Sequence, residues 1–412
     1  MTLEFGHGPL AGLDLTDPRT HAERDLGPVW QLLRAESPIA WHPHTTSTSP
    51  PSTAGFWVVT RHADALAVYR DPEGYTSTRG NGLATLLAGG DPAGGQMLVV
   101  SDGPRNLEIR RRLLRAFTPA ALRELGEQIA VCARSLLKNA VDRGTCEFSA
   151  DVAEHIPLAA ICDLMQIPGS DRRTLLGHAR LTLAADTATA TELEARMARN
   201  EILLYFARLT RKRKDSPGDD IVGLLLQLCR EPLALSQQEL LLNCYSLLLG
   251  GDETSRLALV GTLHALASFP DEWRRLQRRD VSVDTAVEEL LRWTTPTLHA
   301  GRTAAQPRTL AGQPIAPGQI VTAWNCAADF DPAEFTAPDR LDLGRRPNRH
   351  LAFGHGHHFC LGAQLARIEL AALLEALLAT TDTIELAGPP RRLYSNFLAG
   401  FSHLPIRLTP HA

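Results

Sequence analysis

Apolar residues recur at three- and four-residue spacing from Asn106 to about Gln277. That is the period of helices burying one face. The longest such run, about Gln237 to Ser268, carries Leu257, Val260, Leu263 and Leu266 along one side. Pro168-Gly169-Ser170 and Ser216-Pro217-Gly218 punctuate the pattern. Before it, residues 1–60 are rich in Pro, Thr and Ser, notably His42 to Thr53, and close on a short strand, Gly55 to Thr60. Residues 75–101, with Gly80-Asn81-Gly82 and Gly89-Gly90, read as a long loop, and a loop of that length in a compact domain is usually functional. Its glycines do not make a dinucleotide fingerprint, because Thr85 stands where a third glycine is needed. Beyond Thr295 come strand-like pieces such as Gln319 to Trp324 among proline turns, then a last strong helix over roughly Gly362 to Ala379. No internal repeat or charge block interrupts this plan of mostly helix with minor sheet.

The 412 residues are 44% hydrophobic and 21% charged, enough for a large core. A net charge of −4 argues against a nucleic-acid binder. The apolar stretches Leu240–Gly251 and Leu370–Ala379 are too short to cross a bilayer and are broken by Asn243 and Glu375. Met1 to Leu15 lacks a signal-peptide pattern, so a soluble cytoplasmic protein is expected. Seven scattered cysteines without a CxxC pair are no disulfide framework. Most sit in apolar runs and read as small buried hydrophobes.

Cys360 differs. It closes Phe353-Gly354-His355-Gly356-His357-His358-Phe359-Cys360-Leu361-Gly362 at the mouth of an apolar helix. Glycines let backbone approach a planar group closely, and a helix N-terminus favours the thiolate. A zinc site from Cys360 with His355, His357 and His358 is the competing reading, but no second ligand pair stands nearby in sequence. The segment resembles the haem-ligand loop of the cytochrome P450 monooxygenases, Phe-Gly-x-Gly-x-His-x-Cys-x-Gly, at every fixed position. The resemblance implies the P450 fold in one domain over residues 1–412. Its β-rich parts would lie at about 35–62, 295–325 and 380–410, and its helical core at about 104–294 and 361–379. It also implies haem b (iron protoporphyrin IX) with Cys360 as axial ligand, a thiolate that favours O–O cleavage.

A second segment, Leu247 to Arg256, places Gly250-Gly251 mid-helix, where each glycine costs about 1 kcal/mol relative to alanine. Such thinning lets a ligand pass close to the backbone. Thr254 is four residues after Gly250, so its hydroxyl can bond that carbonyl. The alternative is a helix break, with Gly-Gly as C-cap and Asp252 as a new N-cap; the continuing apolar face opposes it. The segment resembles the family's oxygen-activating stretch, with Glu253 and Thr254 as the proton-relaying acid and alcohol.

Glu289 and Arg292 match the family's Glu-x-x-Arg ion pair, with Arg340 at the position of the second arginine. Haem propionates would be held by Arg110, Arg302, His350 and His358, with Phe353, Gly354, Gly362, Gly250 and Gly251 around the macrocycle. Asn106 stands where relatives commonly have histidine, predicting an altered clamp. Asp329-Phe330 stand where Asn-Arg is usual. By the same resemblance, substrate contacts would come from Leu83, Leu86, Met97, Leu247, Gly250, Thr297, Leu298, His299 and Phe397, and from Thr182–Thr191. The implied partners are a small organic substrate, O₂, and a ferredoxin with its reductase, since no flavin or nicotinamide domain is visible. Members of this bacterial kind tailor secondary metabolites, sometimes on a carrier protein. A monomer without membrane or nucleic-acid contact is expected. The rival readings are a peroxide-driven haem-thiolate oxygenase and a non-catalytic haem binder or sensor.

Overall fold

The computed structural model describes residues 10, 12–44, 55–183, 191–230 and 232–411. Helices dominate, with α1 (Gly103–Leu113), α2 (Arg123–Arg143), α3 (His155–Leu164), α4 (Gln237–Ser268), α5 (Val283–Thr294) and α6 (Ala363–Thr380) forming the part that positions the site. Helix α4 runs unbroken for 32 residues, about 48 Å at 1.5 Å per residue. Ser236 and Glu239 cap its start reciprocally, and Phe269 precedes Pro270 at its end. The Gly-Gly break considered above does not occur. Buried positions such as Leu248, Leu257, Val260 and Leu263 lie around much of the helix, because α3, α5 and α6 all pack on it. One apolar cluster joins α2, α3, α4, α5 and α6.

The strands expected near Gly55 and Gln319 both form and pair with each other. A five-stranded sheet contains β1 (Ile39–Pro43), β2 (Gly55–Val59), β3 (Tyr75–Thr76), β4 (His299–Ala304) and β5 (Ile320–Trp324), in the order β1-β2-β5-β4-β3. The β2–β5 pair is parallel, with Val58 beside Thr322; β1–β2 and β4–β5 are antiparallel. Phe56 and Val58 face one apolar cluster and Val59 and Val321 another. Burial on both faces explains why β2 reads as a continuous apolar run rather than an alternation. A second sheet joins Thr145–Glu147, Pro405–Pro410 and Thr381–Leu386.

The 75–101 segment is more structured than the expected loop. It holds β3, a five-residue helix Leu83–Leu87 and a tight turn Leu98–Val100. Each piece is too short for a periodicity to show. Among the described residues no helix is long and apolar enough to cross a membrane.

Candidate active site

The ligand loop is held from both ends. Asp329 Oδ1 accepts the Leu351 N–H at 2.6 Å, and the Cys360 N–H donates to the Phe353 carbonyl at 2.9 Å. Gly354 and Gly356 take left-handed φ values of 64° and 71°, which glycine adopts without a Cβ clash. A Cβ on Gly356 would also stand 2.6 Å from the Tyr69 carbonyl. The loop ends at Gly362, the residue before α6. Cys360 is enclosed by the chain yet partly accessible, because it lines a cavity between the loop and α4. Burial raises its thiol pKa, while the Gly362 N–H, Arg110 and Arg367 favour the thiolate. At Cys162 burial, with Asp252 and Asp163 adding and Arg172 opposing, pushes the thiol up to about 12, as expected of an inert core cysteine. Among the described residues, no three His, Cys, Asp or Glu side chains converge as metal ligands, which removes the zinc reading.

Across the cavity, which encloses about 1830 Å³ including its open mouth, stand Leu247, Gly250 and Thr254 of α4. The Thr254 hydroxyl donates to the Gly250 carbonyl at 3.0 Å, as its spacing predicts. The two glycines serve different ends. A Cβ on Gly250 would meet nothing within 4 Å, whereas one on Gly251 would stand 2.7 Å from Ile161 Cδ1 of α3. Gly250 keeps the cavity wall flat; Gly251 permits close packing of α3 and α4.

One edge of the cavity is cationic. Arg302 is buried, donates to its own Gly301 carbonyl at 2.7 Å and lies over the Tyr69 ring at 5.6 Å. It has no carboxylate partner among the described residues, and burial lowers its pKa. A buried guanidinium without a counter-charge is costly, so an anionic group fits there. Arg110 beside it donates to the Phe359 carbonyl. His358 bonds Asp102 Oδ1 at 2.8 Å and Ser77 Oγ at 3.1 Å. Burial raises the Asp102 carboxyl, but hydrogen bonds from His358, Thr76 and the Ser77 N–H outweigh it and hold the group at about 2. Burial depresses His358 against the pull of Asp102, with Arg302 and Arg110 adding to the depression. Flat walls, a thiol on one face and unneutralised cations at one edge fit a haem with its propionates.

Several expected residues stand elsewhere. His350 does not line the cavity; its Nε2 meets Glu288 at 3.2 Å, and Arg367 clamps the same carboxylate. Asn106 lines the cavity, but both its donor bonds are spent, on the Leu98 carbonyl and Ser101 Oγ at 2.8 Å each. It pins a loop rather than replacing a charged clamp. Glu253 lies off the cavity wall, ion-paired with Arg256, which also donates to Ser149. Adjacent helical residues point about 100° apart, so while Thr254 lines the cavity Glu253 is turned away toward Arg256. The Arg340 side chain is exposed and takes no part in the Glu289 cluster; only its carbonyl accepts from Arg345. Arg345 takes that place, donating to Glu289 Oε2 at 2.9 Å, with Asn348 at 3.0 Å and Arg292 completing the set. Leu83 and Leu298 join the cluster under the sheet, Met97 another core, and Leu86 packs against Gly301. His299 is fully buried, lies tilted at 41° to the Trp324 ring with centroids 4.8 Å apart, and accepts the Leu83 N–H. Desolvation, with His21 nearby, drives its pKa to about 3. Leu247, Gly250, Thr297 and Phe397 do line the cavity. Residues 184–190 of the Thr182–Thr191 stretch lie outside the described residues.

The sequence reading missed Asn81, Leu98, Val99, Asn243, Ser246, Pro296 and Ala300 on the wall. Asn243 and Ser246 sit seven and four residues before Gly250 on the same face of α4, so stepping back by helical turns finds them. The Asp329-Phe330 departure also has a role. Asp329 ties Thr295 (2.9 Å) to Leu351, its carbonyl accepts from Arg292, and Phe330 lies over that guanidinium at 4.9 Å.

Residues 281–394 match the cytochrome P450 family. The chain is 42% identical over 403 residues to cytochrome P450 NovI of Streptomyces niveus, covering 97% of each chain. It is 34% identical over 408 residues to putative cytochrome P450 126 of Mycobacterium tuberculosis, covering 97% of this chain and 98% of that one. The structure of P450 OxyD, described as involved in the biosynthesis of vancomycin-type antibiotics, superposes with a TM-score of 0.86. Its sequence identity is 34%, over 97% of this chain and 100% of that one. The chain belongs to the cytochrome P450 family and is a haem-thiolate oxidoreductase that incorporates oxygen.

Proposed function

We propose that this enzyme oxidises a small organic substrate in bacterial secondary metabolism, drawing electrons from a ferredoxin and its reductase. The relatives named NovI and OxyD support the setting, since the latter is described as acting in antibiotic biosynthesis. The observation that carries the reading is the pairing of Cys360 on one wall with Gly250 and Thr254 opposite, across an apolar cavity. Haem, when bound, supplies O₂ binding and the redox chemistry. Cys360 would be its ligand, and Arg110 and Arg302, which have no carboxylate partner among the described residues, would neutralise its propionates, with His358 as a further neutral donor beside them and Gly354 and Gly362 leaving room for the macrocycle. Leu98, Val99, Leu247 and Phe397 exclude water and hold the substrate's apolar part. Thr254 holds a proton at Oγ1 on the cavity wall. Glu253 reaches that wall only by exchanging its Arg256 partner, so it resupplies Thr254 through a rotation. Positioned proton donors are worth roughly 10²–10⁴ in rate. Thr254→Ala is therefore expected to keep consuming oxygen while product per oxygen falls at least about tenfold. Full coupling in that variant contradicts the proposal.

A further inference from the structure

Beyond the haem edge, the cavity wall carries polarity without charge. Asn81, Ser246 and Thr297 face it from three separate backbones: the loop after β3, helix α4 and the turn entering β4. None of their side chains has a hydrogen-bond partner among the described residues, and all three are half-buried. Their backbones are fixed. The Asn81 carbonyl accepts the Gly301 N–H at 2.7 Å, and Thr297 pairs with Leu398, with the Leu298 N–H on the Phe397 carbonyl at 2.9 Å. Ser246 sits one turn before Gly250 within the unbroken α4. Asn243, by contrast, is fully committed. It donates to the Gln96 and Glu239 carbonyls and accepts the Leu98 N–H, so it latches the loop to α4 rather than binding a ligand.

No carboxylate lines the cavity among the described residues. Its arginines, Arg110 and Arg302, stand at the haem edge and are used there. Among the described residues, a substrate ammonium would find no carboxylate on this wall and a carboxylate no arginine free of the haem edge, and burying an unpaired charge is strongly unfavourable. Uncommitted neutral groups on rigid supports are instead suited to hydroxyl, phenol or amide groups.

We propose that the enzyme selects an uncharged substrate, an apolar skeleton bearing hydroxyl or amide groups that Asn81, Ser246 and Thr297 orient. This rests on the haem reading above, because it assigns both arginines to the propionates.

The test uses haem-loaded protein whose carbon-monoxide difference spectrum has first been recorded. Binding of N-benzylacetamide, benzyltrimethylammonium, phenylpropanoate and butylbenzene is measured by calorimetry. The amide is expected to bind at least about tenfold more tightly than either ion. In the triple variant Asn81→Val, Ser246→Ala, Thr297→Val, amide affinity is expected to fall at least about tenfold while butylbenzene stays within about threefold. With a normal carbon-monoxide spectrum, three results each overturn this inference alone: either ion binding as tightly as the amide, no amide binding, or equal changes for amide and hydrocarbon. A missing spectrum overturns the haem reading and this inference with it.

Discussion

Replacing Glu289 by glutamine removes the charge of a fully buried carboxylate at the centre of a polar cluster. Its two oxygens accept five hydrogen bonds at 2.8–3.0 Å, from Arg292 Nε and Nη2, Arg345 Nε, the Asp342 N–H and Asn348 Nδ2. Glutamine has one acceptor oxygen, and its amide would face donors. Arg345 would retain the Thr336, Ala337 and Arg340 carbonyls, but Arg292 would keep only the Asp329 carbonyl. Breaking one side of a buried pair costs ~3–5 kcal/mol, and two guanidiniums are deprived here, so the upper half of that range is expected. Against a typical total of ~5–15 kcal/mol, this is a large share. With a urea slope of ~3 kcal/mol per molar, the unfolding midpoint read by circular dichroism should fall by more than ~1 M. Arg345→Ala should cost ~3 kcal/mol or more; exposed Arg340→Ala should stay within ~0.5 kcal/mol. If Arg340→Ala were as damaging as Glu289→Gln while Arg345→Ala were silent, the assignment of the second arginine would be wrong.

Gly250→Ala should raise stability toward the ~1 kcal/mol helix-propensity gain, whereas Gly251→Ala should lower it by ~1–3 kcal/mol through overpacking on Ile161; thermal unfolding of both variants giving the reverse order contradicts the different roles assigned to them. Glu369 of α6 is buried. Desolvation raises its pKa to about 8, with Asp252 adding to this and Ser255 opposing it. Its folded pKa lies above the unfolded one, so the folded protein binds more protons between them. The stability it contributes is complete below ~4.5 and drains away as pH rises toward 8, by up to ~1.4 kcal/mol per pH unit. Denaturation midpoints of Glu369→Gln should therefore vary less over that window than those of the unaltered protein; an unchanged pH dependence refutes this.

What could be read from the sequence follows from the range over which each signal acts. Helices α4 and α6 are long and strongly periodic, and they form within a residue or two of their expected bounds. The Thr254–Gly250 bond is a four-residue relation inside a helix, and it is present. The ligand loop likewise carries its geometry locally, through Gly354 and Gly356. Glu253 is adjacent to Thr254 in sequence but turns off the cavity wall to pair with Arg256, a partner that the two-residue pattern does not reveal. Arg345 could not be told from Arg340 by pattern: the chain from Phe335 to His350 is irregular, and only its path past α5 decides which guanidinium reaches Glu289. His350 fell to the same cause, captured by Glu288 of α5. Leu83, Leu86 and Met97 lie in the core rather than on the cavity wall, because the glycine-rich segment folds back and buries them. Asn81, between two glycines, is the residue that segment leaves on the wall.

The central claim is that the Cys360 sulfur is the ligand through which this protein handles oxygen. The direct measurement is the carbon-monoxide difference spectrum of Cys360→Ser beside the unaltered protein, both expressed with ample haem precursor. Loss of the thiolate-type band in the variant, with the band present in the unaltered protein, is the predicted result. An identical band in both, or a colourless unaltered protein, contradicts the account.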